Sequence, residues 1–374
     1  MKYTKQLNVL SVTLLAAILP LPAMAQEGKI AITEFDAPNS TKVSSMKCAG
    51  FCGTTAYSNN NLGDIVGSYT DDNIVPHGFL RNADGRIISF DAPGAGLGFG
   101  LNQGTAAYSI NDVGMIAGQF EDPNSVYHGF VRYPNGSFAT FDAPSAGAGA
   151  NQGTLAFNIN LQGATAGIYV DDNYVEHGFV RSPAGGITTF DPDGSTGTVV
   201  CEETCLNLLG AVTGFYSDAN NTNHGFMREP DGRITPFDAP GAGAFGTIAA
   251  SIDLQGTITG YFVDPNNVAH GFVRTPNSRF ATFDVVGSGT GPGQGTAAFS
   301  INLFGAITGE FLDANSAMHG FSRSPLGTSA TFDAPDAGKG AGQGTRPSTN
   351  NLKGTVAGWY VDVNNLNHGF LTRP

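Results

Sequence analysis

The 374-residue sequence has few charged residues and only one long apolar run. Charged side chains make up 13% of the chain, and the 18 Lys and Arg residues are outnumbered by 31 Asp and Glu residues. This scarcity of basic residues excludes nucleic acid and anionic membrane surfaces as partners, because both bind through clustered positive charge. Beyond the N-terminus no stretch is long and apolar enough to span a membrane, and none has a helical pattern. We therefore expect no membrane insertion.

The apolar run at the N-terminus is typical of a signal peptide. Two lysines precede the apolar residues 7–21, and a small-x-small pattern ends at Ala25. Residues 1–25 are therefore predicted to be removed, which leaves one mature domain of residues 26–374. The formal charge of −13 becomes about −15 when the two lysines are lost. We expect the product to be secreted, either to the periplasm or to the medium.

The four cysteines fall in two local pairs with the spacing C-x3-C. In an exported chain these pairs predict the disulfides Cys48–Cys52 and Cys201–Cys205, although three connectivities are possible. A zinc site built from all four cysteines is the alternative. We favour disulfides because this spacing is not the usual one for zinc ribbons and the compartment is oxidising.

A repeat covers almost all of the mature sequence. The tripeptide His-Gly-Phe recurs every 46 to 51 residues, which is the length of a four-stranded propeller blade. The 52 glycines suit many short strands that are joined by turns. The repeat accounts for every histidine in the chain: His77, His128, His177, His224, His270, His319 and His368.

The two ends of the sequence are complementary fragments of one repeat. A Phe-Asp element closes the fourth strand of each repeat, and one copy, in residues 30–36, precedes the first complete repeat. The last repeat ends at its third strand. A ring that pairs these fragments leaves fewer exposed strand edges than an open array does. We therefore predict an all-β fold, a seven-bladed β-propeller of four-stranded blades, closed by the N-terminal strand that completes the last blade, and a monomer.

Motifs of the form Ile-Asn-x-x-Gly-x-Ile-x-Gly-x-Tyr, together with His-Gly-Phe, resemble the HAF repeats of bacterial extracellular proteins, with Gly in place of the middle Ala. The resemblance covers about the whole mature chain. It implies an exported propeller-like repeat protein. It supplies no catalytic residues.

An Asp-x-Asn turn follows the second strand of every repeat. We expect its Asp to accept hydrogen bonds from the turn or from the nearby His, a structural role that every blade needs. A calcium loop is the alternative, but the next alternate position is apolar or Thr, which leaves few oxygen ligands. No zinc site is expected among the histidines, which lie on separate blades. The turn residues are Asp71, Asp122, Asp171, Asp218, Asp264, Asp313 and Asp362.

Departures from the repeat are the better candidates for function, because propeller ligands bind loops and channel mouths that differ between blades. Two loops, 39–53 and 193–205, carry charges and the Cys pairs, and the position after the glycine of the second strand also varies. The candidate ligand-binding residues are Lys42, Lys47, Arg346 and Trp359. The candidate catalytic acids are Glu202, Glu203 and Glu310.

The leading interpretation is an exported, non-catalytic binding or scaffold propeller that recognises a glycan or a surface protein. The chain has no nucleophile-elbow or zinc-protease motif. One alternative is a polysaccharide hydrolase or lyase at the channel mouth, which requires two carboxylates about 5 to 9.5 Å apart. Another is a calcium-stabilised surface protein. No other cofactor is expected.

Overall fold

The computed structural model describes residues 30–44, 52–98, 103–202 and 204–373, which form strands, turns and loops. Within these ranges no helix has the length and apolar character needed to cross a membrane. The strands are β1 (Ala31–Phe35), β2 (Thr54–Asn59), β3 (Ile65–Thr70), β4 (Pro76–Arg81), β5 (Ile87–Phe90), β6 (Gly104–Ile110), β7 (Ile116–Glu121), β8 (Tyr127–Arg132), β9 (Phe138–Phe141), β10 (Gly153–Ile159), β11 (Thr165–Val170), β12 (Glu176–Arg181), β13 (Ile187–Phe190), β14 (Gly197–Val200), β15 (Val212–Ser217), β16 (Asn223–Arg228), β17 (Ile234–Phe237), β18 (Gly246–Ile252), β19 (Ile258–Val263), β20 (Ala269–Arg274), β21 (Phe280–Phe283), β22 (Gly295–Ile301), β23 (Ile307–Leu312), β24 (Met318–Arg323), β25 (Ser329–Phe332), β26 (Gly344–Asn350), β27 (Val356–Val361) and β28 (Asn367–Arg373).

Consecutive strands pair antiparallel in groups of four, beginning with β2–β5, and the 28 strands of the described chain suggest seven blades. Blades 1 to 6 are β2–β5, β6–β9, β10–β13, β14–β17, β18–β21 and β22–β25. Blade 7 combines β26–β28 with β1, which pairs antiparallel to β28 from Ala31 opposite Arg373 to Phe35 opposite Gly369. The first and last described strands therefore lie in one sheet.

Turns of fixed chemistry separate the strands. After the first strand of blade 1, Asn60 Oδ1 accepts hydrogen bonds from the N–H groups of Leu62 (3.0 Å) and Asp64 (2.9 Å). Gly63 then adopts φ 96°, a left-handed conformation that other residues rarely take. This Asn-x-x-Gly turn reverses the chain at one end of the blades, and the Asp-x-Asn turn reverses it at the other.

Phenylalanine pairs form the core between blades. The Phe of each His-Gly-Phe is fully buried and meets, edge to face, the Phe of the preceding blade's Phe-Asp element, with ring centroids 5.9 to 6.4 Å apart. Such contacts stabilise by area and by ring electrostatics. Phe35 on β1 packs against Phe79 of blade 1 in the same way. The N-terminal strand thus makes the contact that every other fourth strand makes.

In every blade except blade 4, the first strand contacts the first strand of a neighbouring blade, so these strands are the innermost ones. At the end of these strands, the turn Asn of one blade donates from Nδ2 to the backbone oxygen of the next turn. Asn111 reaches Asn160 at 2.9 Å, and Asn351 reaches Asn60 at 3.0 Å, which joins blade 7 to blade 1. Blade 5 has Asp253 at this position, and a carboxylate cannot donate this bond.

Candidate functional site

A β-bulge in the first strand turns one side chain of most blades toward the channel. The register of β2 against β3 shifts between Ala56 and Ser58, so Tyr57 has no partner across the ladder. Bulges can re-aim a side chain in this way. Tyr57 and Tyr108, the bulge residues of blades 1 and 2, lie side by side with ring centroids 4.9 Å apart, and Tyr108 meets Phe157 of blade 3 at 5.1 Å. The bulge residues of the other blades with this shift are Ala250, Phe299 and Ser348.

Blade 4 carries an insertion at the bulge position. Ten positions separate the starting glycine of its first strand, Gly197, from the turn residue Asn207, whereas seven separate Gly153 from Asn160 in blade 3. The sequence predicted one loop over residues 193–205, and this was wrong. The strand Gly197–Val200 comes first, so the segment 201–205 enters the channel wall halfway along rather than lying in the loop before the strand.

Covalent and polar contacts fix the described residues of this segment, 201, 202, 204 and 205, which we call the channel insert. Cys201 and Cys205 form a disulfide with Cα atoms 5.8 Å apart. Asn158 of blade 3 clamps both ends: its Nδ2 donates to Cys201 O at 2.8 Å, and its Oδ1 accepts from the N–H of Cys205 at 2.8 Å. On the other side, Thr204 O accepts from the N–H of Ile252 at 3.1 Å. The insert is therefore held between blades 3 and 5.

The channel insert borders a cavity of about 250 Å³, the channel cavity. Aromatic and aliphatic side chains form most of its walls, and Glu202 and Arg346 supply the charged groups. Its lining residues are Val199, Cys201, Glu202, Phe215, Ile248, Ala250, Tyr261, Phe299 and Arg346.

Arg346 is fixed by aromatic rings and by one acid. Its guanidinium carbon lies 4.8 Å from the ring centre of Phe299 and 5.6 Å from that of Trp359. Its Nη1 lies 3.8 Å from Glu310 Oε1, and Glu310 is almost fully buried. Stacking on rings and pairing with a carboxylate are the interactions that guanidinium geometry favours.

Both acids of this region have a raised pKa. Burial raises the pKa of Glu310, and the charge of Arg346 opposes the rise. The Oε2 atom of Glu310 is buried without a hydrogen-bond partner among the described residues, which also favours the protonated form. The pKa of Glu202 is raised in the same way, although its side chain keeps access to solvent in the channel. Burial, with a smaller contribution from Glu202, raises the pKa of Tyr57 to about 12.

The structure brings together four of the residues that the sequence singled out: Glu202, Glu310, Arg346 and Trp359. Lys42 does not join them, because its Nζ lies 2.7 Å from Asp36, which directly follows the outer strand β1. Cys48, Lys47 and Glu203 lie outside the described residues, so the predictions for them and for the disulfide Cys48–Cys52 stay predictions. The aromatic walls were missed; Phe215 and Tyr261 directly follow the glycine of the second strand and Phe299 is a bulge residue, so aromatic residues at these two positions were the signal.

The seven turn aspartates all make the same contacts. Oδ1 accepts from the N–H two positions later at 2.8 to 2.9 Å and from the N–H four positions later at 2.9 Å. Oδ2 accepts from the Asn side chain at 3.0 to 3.3 Å. Turn donors therefore already use both oxygens of each aspartate. No group of three or more metal-ligating side chains is found in the ranges described.

Each histidine donates from Nδ1 to the Asp of a Phe-Asp element, at 2.7 to 2.9 Å. Its Nε2 lies 3.6 to 3.9 Å from the turn Asp, and its ring packs on the aromatic residue of the second strand. The sequence showed the Phe-Asp element but not this partnership. The pairs are His77–Asp91, His128–Asp142, His177–Asp191, His224–Asp238, His270–Asp284, His319–Asp333 and His368–Asp36.

Among solved structures, the chain is similar to the BP39L lectin from Burkholderia pseudomallei, with a TM-score of 0.54 and 11% identity over 86% of this chain and 98% of that chain. It is also similar to a puromycin hydrolase, with a TM-score of 0.51 and 12% identity over 88% of this chain. The chain has a β-propeller fold. It spans about half of the hydrolase, 55% of that chain. No family profile matches the sequence, and no curated protein matches it.

Proposed function

We propose that the mature protein is an exported, monomeric propeller of seven blades, closed through β1, that binds a glycan in the channel cavity without chemical turnover. The observation that carries this proposal is the convergence of Glu202, Arg346 and aromatic walls in a single cavity. Sugars bind through aromatic faces and a few fixed polar groups, and pockets with that composition are the usual ligand sites. The structural similarity to a lectin also supports glycan binding.

Size and position also support binding of one sugar unit. The cavity of about 250 Å³ is slightly smaller than the range of about 300 to 1,000 Å³ for drug-sized ligands. The channel insert lies across the channel, since the Thr204 hydroxyl of blade 4 is 3.4 Å from that of Ser300 in blade 6. A terminal sugar enters such a cavity more readily than the middle of a long chain.

A screen of the mature protein against oligosaccharides and envelope proteins tests this function. We expect binding of at least one glycan, no hydrolysis of it, and a binding loss of about tenfold or more in Arg346→Ala with an intact fold. The matched control is Arg233→Ala, which removes an exposed arginine that pairs with Glu229 at a distant turn. Turnover of a polysaccharide, with no stable binding of any glycan, would contradict the proposal.

A glycoside hydrolase is the second candidate, because both Glu202 and Glu310 have a raised pKa near Arg346. A catalytic acid needs such a shift to hold its proton near neutral pH. If the protein is an enzyme, Glu202→Gln or Glu310→Gln will abolish turnover without lowering the melting temperature. Glu203→Gln tests the neighbouring acid in the same assay. Wild-type turnover in all three variants excludes this candidate.

A further inference from the structure

The charges at the channel cavity are not balanced. Among the described residues, Arg346 is the one cation that lines it, and the guanidinium already has the carboxylate of Glu310 at 3.8 Å. Glu202 also lines the cavity, and no described residue makes a hydrogen bond or an ion pair with its carboxylate. When both acids are ionised, Glu202 and Glu310 outnumber Arg346, and no described side chain neutralises the remaining negative charge by contact.

The walls around Glu202 favour a cation. The rings of Phe215, Tyr261 and Phe299 line the same cavity. Aromatic faces attract positive charge, and this attraction strengthens where water is excluded. Burial raises the pKa of Glu202 and the charge of Arg346 opposes the rise, so this carboxylate still lacks part of its counter-charge. A bound ammonium group would supply that charge.

The net charge of the whole molecule also favours a cationic ligand. Its mature charge of about −15 attracts cations and repels anions over a range set by the salt concentration. A neutral sugar would leave the Glu202 carboxylate only partly compensated by Arg346. A sugar acid would find Arg346 already paired with Glu310.

We propose that the channel cavity selects sugars that carry a free ammonium group, with Glu202 as the partner of the ammonium and the aromatic walls as the partners of the sugar ring. This specificity rests on the proposed glycan-binding function. It names the substrate class as amino sugars with unblocked amines, as in oligomers of glucosamine.

The only tryptophan of the chain, Trp359, reports on this site, because Arg346 links its ring to the cavity. We would titrate the mature protein with oligomers of glucosamine, of N-acetylglucosamine, of glucose and of glucuronic acid, matched in length, and follow tryptophan fluorescence and calorimetric heat. We expect glucosamine oligomers to bind about 10 to 100 times more tightly than their N-acetylated counterparts, because a charged hydrogen bond is lost on acetylation. Their affinity should fall as salt is raised.

Glu202→Gln should reduce the affinity for glucosamine oligomers about 10-fold to 100-fold and abolish the preference over the acetylated form. The matched control is Glu229→Gln, which removes one negative charge from an exposed turn and should leave affinity unchanged. Melting temperatures of both variants show whether the fold is intact. The comparison of acetylated and free ligands needs no variant and stands by itself.

Equal or tighter binding of glucose or N-acetylglucosamine oligomers would overturn the amine specificity and leave the glycan-binding function in place. Preferred binding of glucuronic acid oligomers would do the same and would assign the anchoring role to Arg346. Absence of binding by all four classes would overturn the amine specificity and count against the glycan-binding function.

Discussion

At the scale of single residues, the histidine repeated in every blade is held by two carboxylates. His77 donates to Asp91 at 2.9 Å, and its Nε2 is 3.7 Å from Asp71. The hydrogen bond to Asp91 raises the pKa of His77, and burial opposes the rise. Each blade thus fastens its second-to-third turn to its fourth strand through one imidazole.

The raised pKa of His77 makes its stabilising contribution depend on pH. Because the folded pKa lies above the unfolded value of about 6.5, the contribution is complete below that pH and declines as pH rises through the folded pKa. We expect the melting-temperature advantage of the wild type over His77→Gln to be largest near pH 6 and to shrink toward pH 9. In an Asp91→Asn background the pH-dependent part should disappear. A constant difference across this range would contradict the prediction.

The turn aspartates lead to a prediction about metal removal. Their oxygens accept hydrogen bonds from the turn itself, as Asp362 does from Asn364 and Leu366. We expect EDTA to leave the melting temperature unchanged, and Asp362→Ala to cost about 1 kcal/mol with or without EDTA. A marked fall in melting temperature with EDTA, reversed by calcium, would restore the calcium alternative.

At the scale of elements, the first strand of a blade contributes both to the channel and to the contact with the next blade. Its bulge sends one side chain to the channel, and its end joins a chain of asparagine hydrogen bonds from turn to turn. In blade 4 the bulge is replaced by the channel insert, which the disulfide Cys201–Cys205 closes. Local changes in this strand therefore alter the site while the remaining strands keep the fold.

Removal of the disulfide tests whether it holds the channel insert in place. Cys201→Ala with Cys205→Ala should lower stability by about 2 kcal/mol or less, since the closed loop is short. Glycan affinity should fall more than this modest loss suggests, because Glu202 is no longer fixed. Calorimetry and ligand titration of the double variant measure both effects. Unchanged affinity would show that the hydrogen bonds of Asn158 hold the channel insert in place without the disulfide.

The hydrogen bonds that link the turn asparagines of neighbouring blades are interrupted at Asp253 of blade 5, where a substitution should stabilise the protein. Asp253 Oδ1 accepts from the N–H of Thr257 at 2.7 Å, as the Asn side chain does in other turns. Asp253→Asn keeps this acceptor and adds the Nδ2 donor, so we expect a gain of about 0.5 to 1.5 kcal/mol. Asn207→Asp, the reverse change in the neighbouring blade, should cost a similar amount. A lower melting temperature of Asp253→Asn would contradict this prediction.

At the scale of the whole molecule, the first and last described strands, β1 and β28, pair with each other. The pairing of β1 with β28, the hydrogen bond of His368 to Asp36 and the ring contact of Phe35 with Phe79 all join the N-terminal strand to the rest. In the closed ring that we propose, these contacts form the last interface between blades.

Deletion of residues 26–38 tests closure. We expect the truncated protein to melt at a clearly lower temperature in one transition, because the third strand of blade 7 loses its partner and Phe79 loses its edge contact. A synthetic peptide of residues 26–38, added in excess, should raise the melting temperature again by mass action. A peptide with Phe35→Ser is the matched control. A truncation that melts like the full chain would show that β1 does not close the ring.

The sequence by itself was enough for the propeller, because each repeat carries its own strand and turn chemistry and repeated units stack in one way. It also showed that Glu202, Glu310, Arg346 and Trp359 break the repeat. It did not show that Asp91 and its equivalents bind histidine, since that contact joins the third strand to the end of the fourth.

Only the tertiary structure decided where these departures meet. Arg346 and Tyr57 are separated by almost the whole chain, yet the electrostatics of Tyr57 include both Arg346 and Glu202. The position of the channel insert was misread because a mid-strand insertion and a lengthened loop look alike in a linear comparison, and only strand register separates them. Each blade is determined by strand and turn residues within its own repeat, so the sequence is enough to predict it. The channel cavity depends on distances between residues of different blades, and only the tertiary structure gives these.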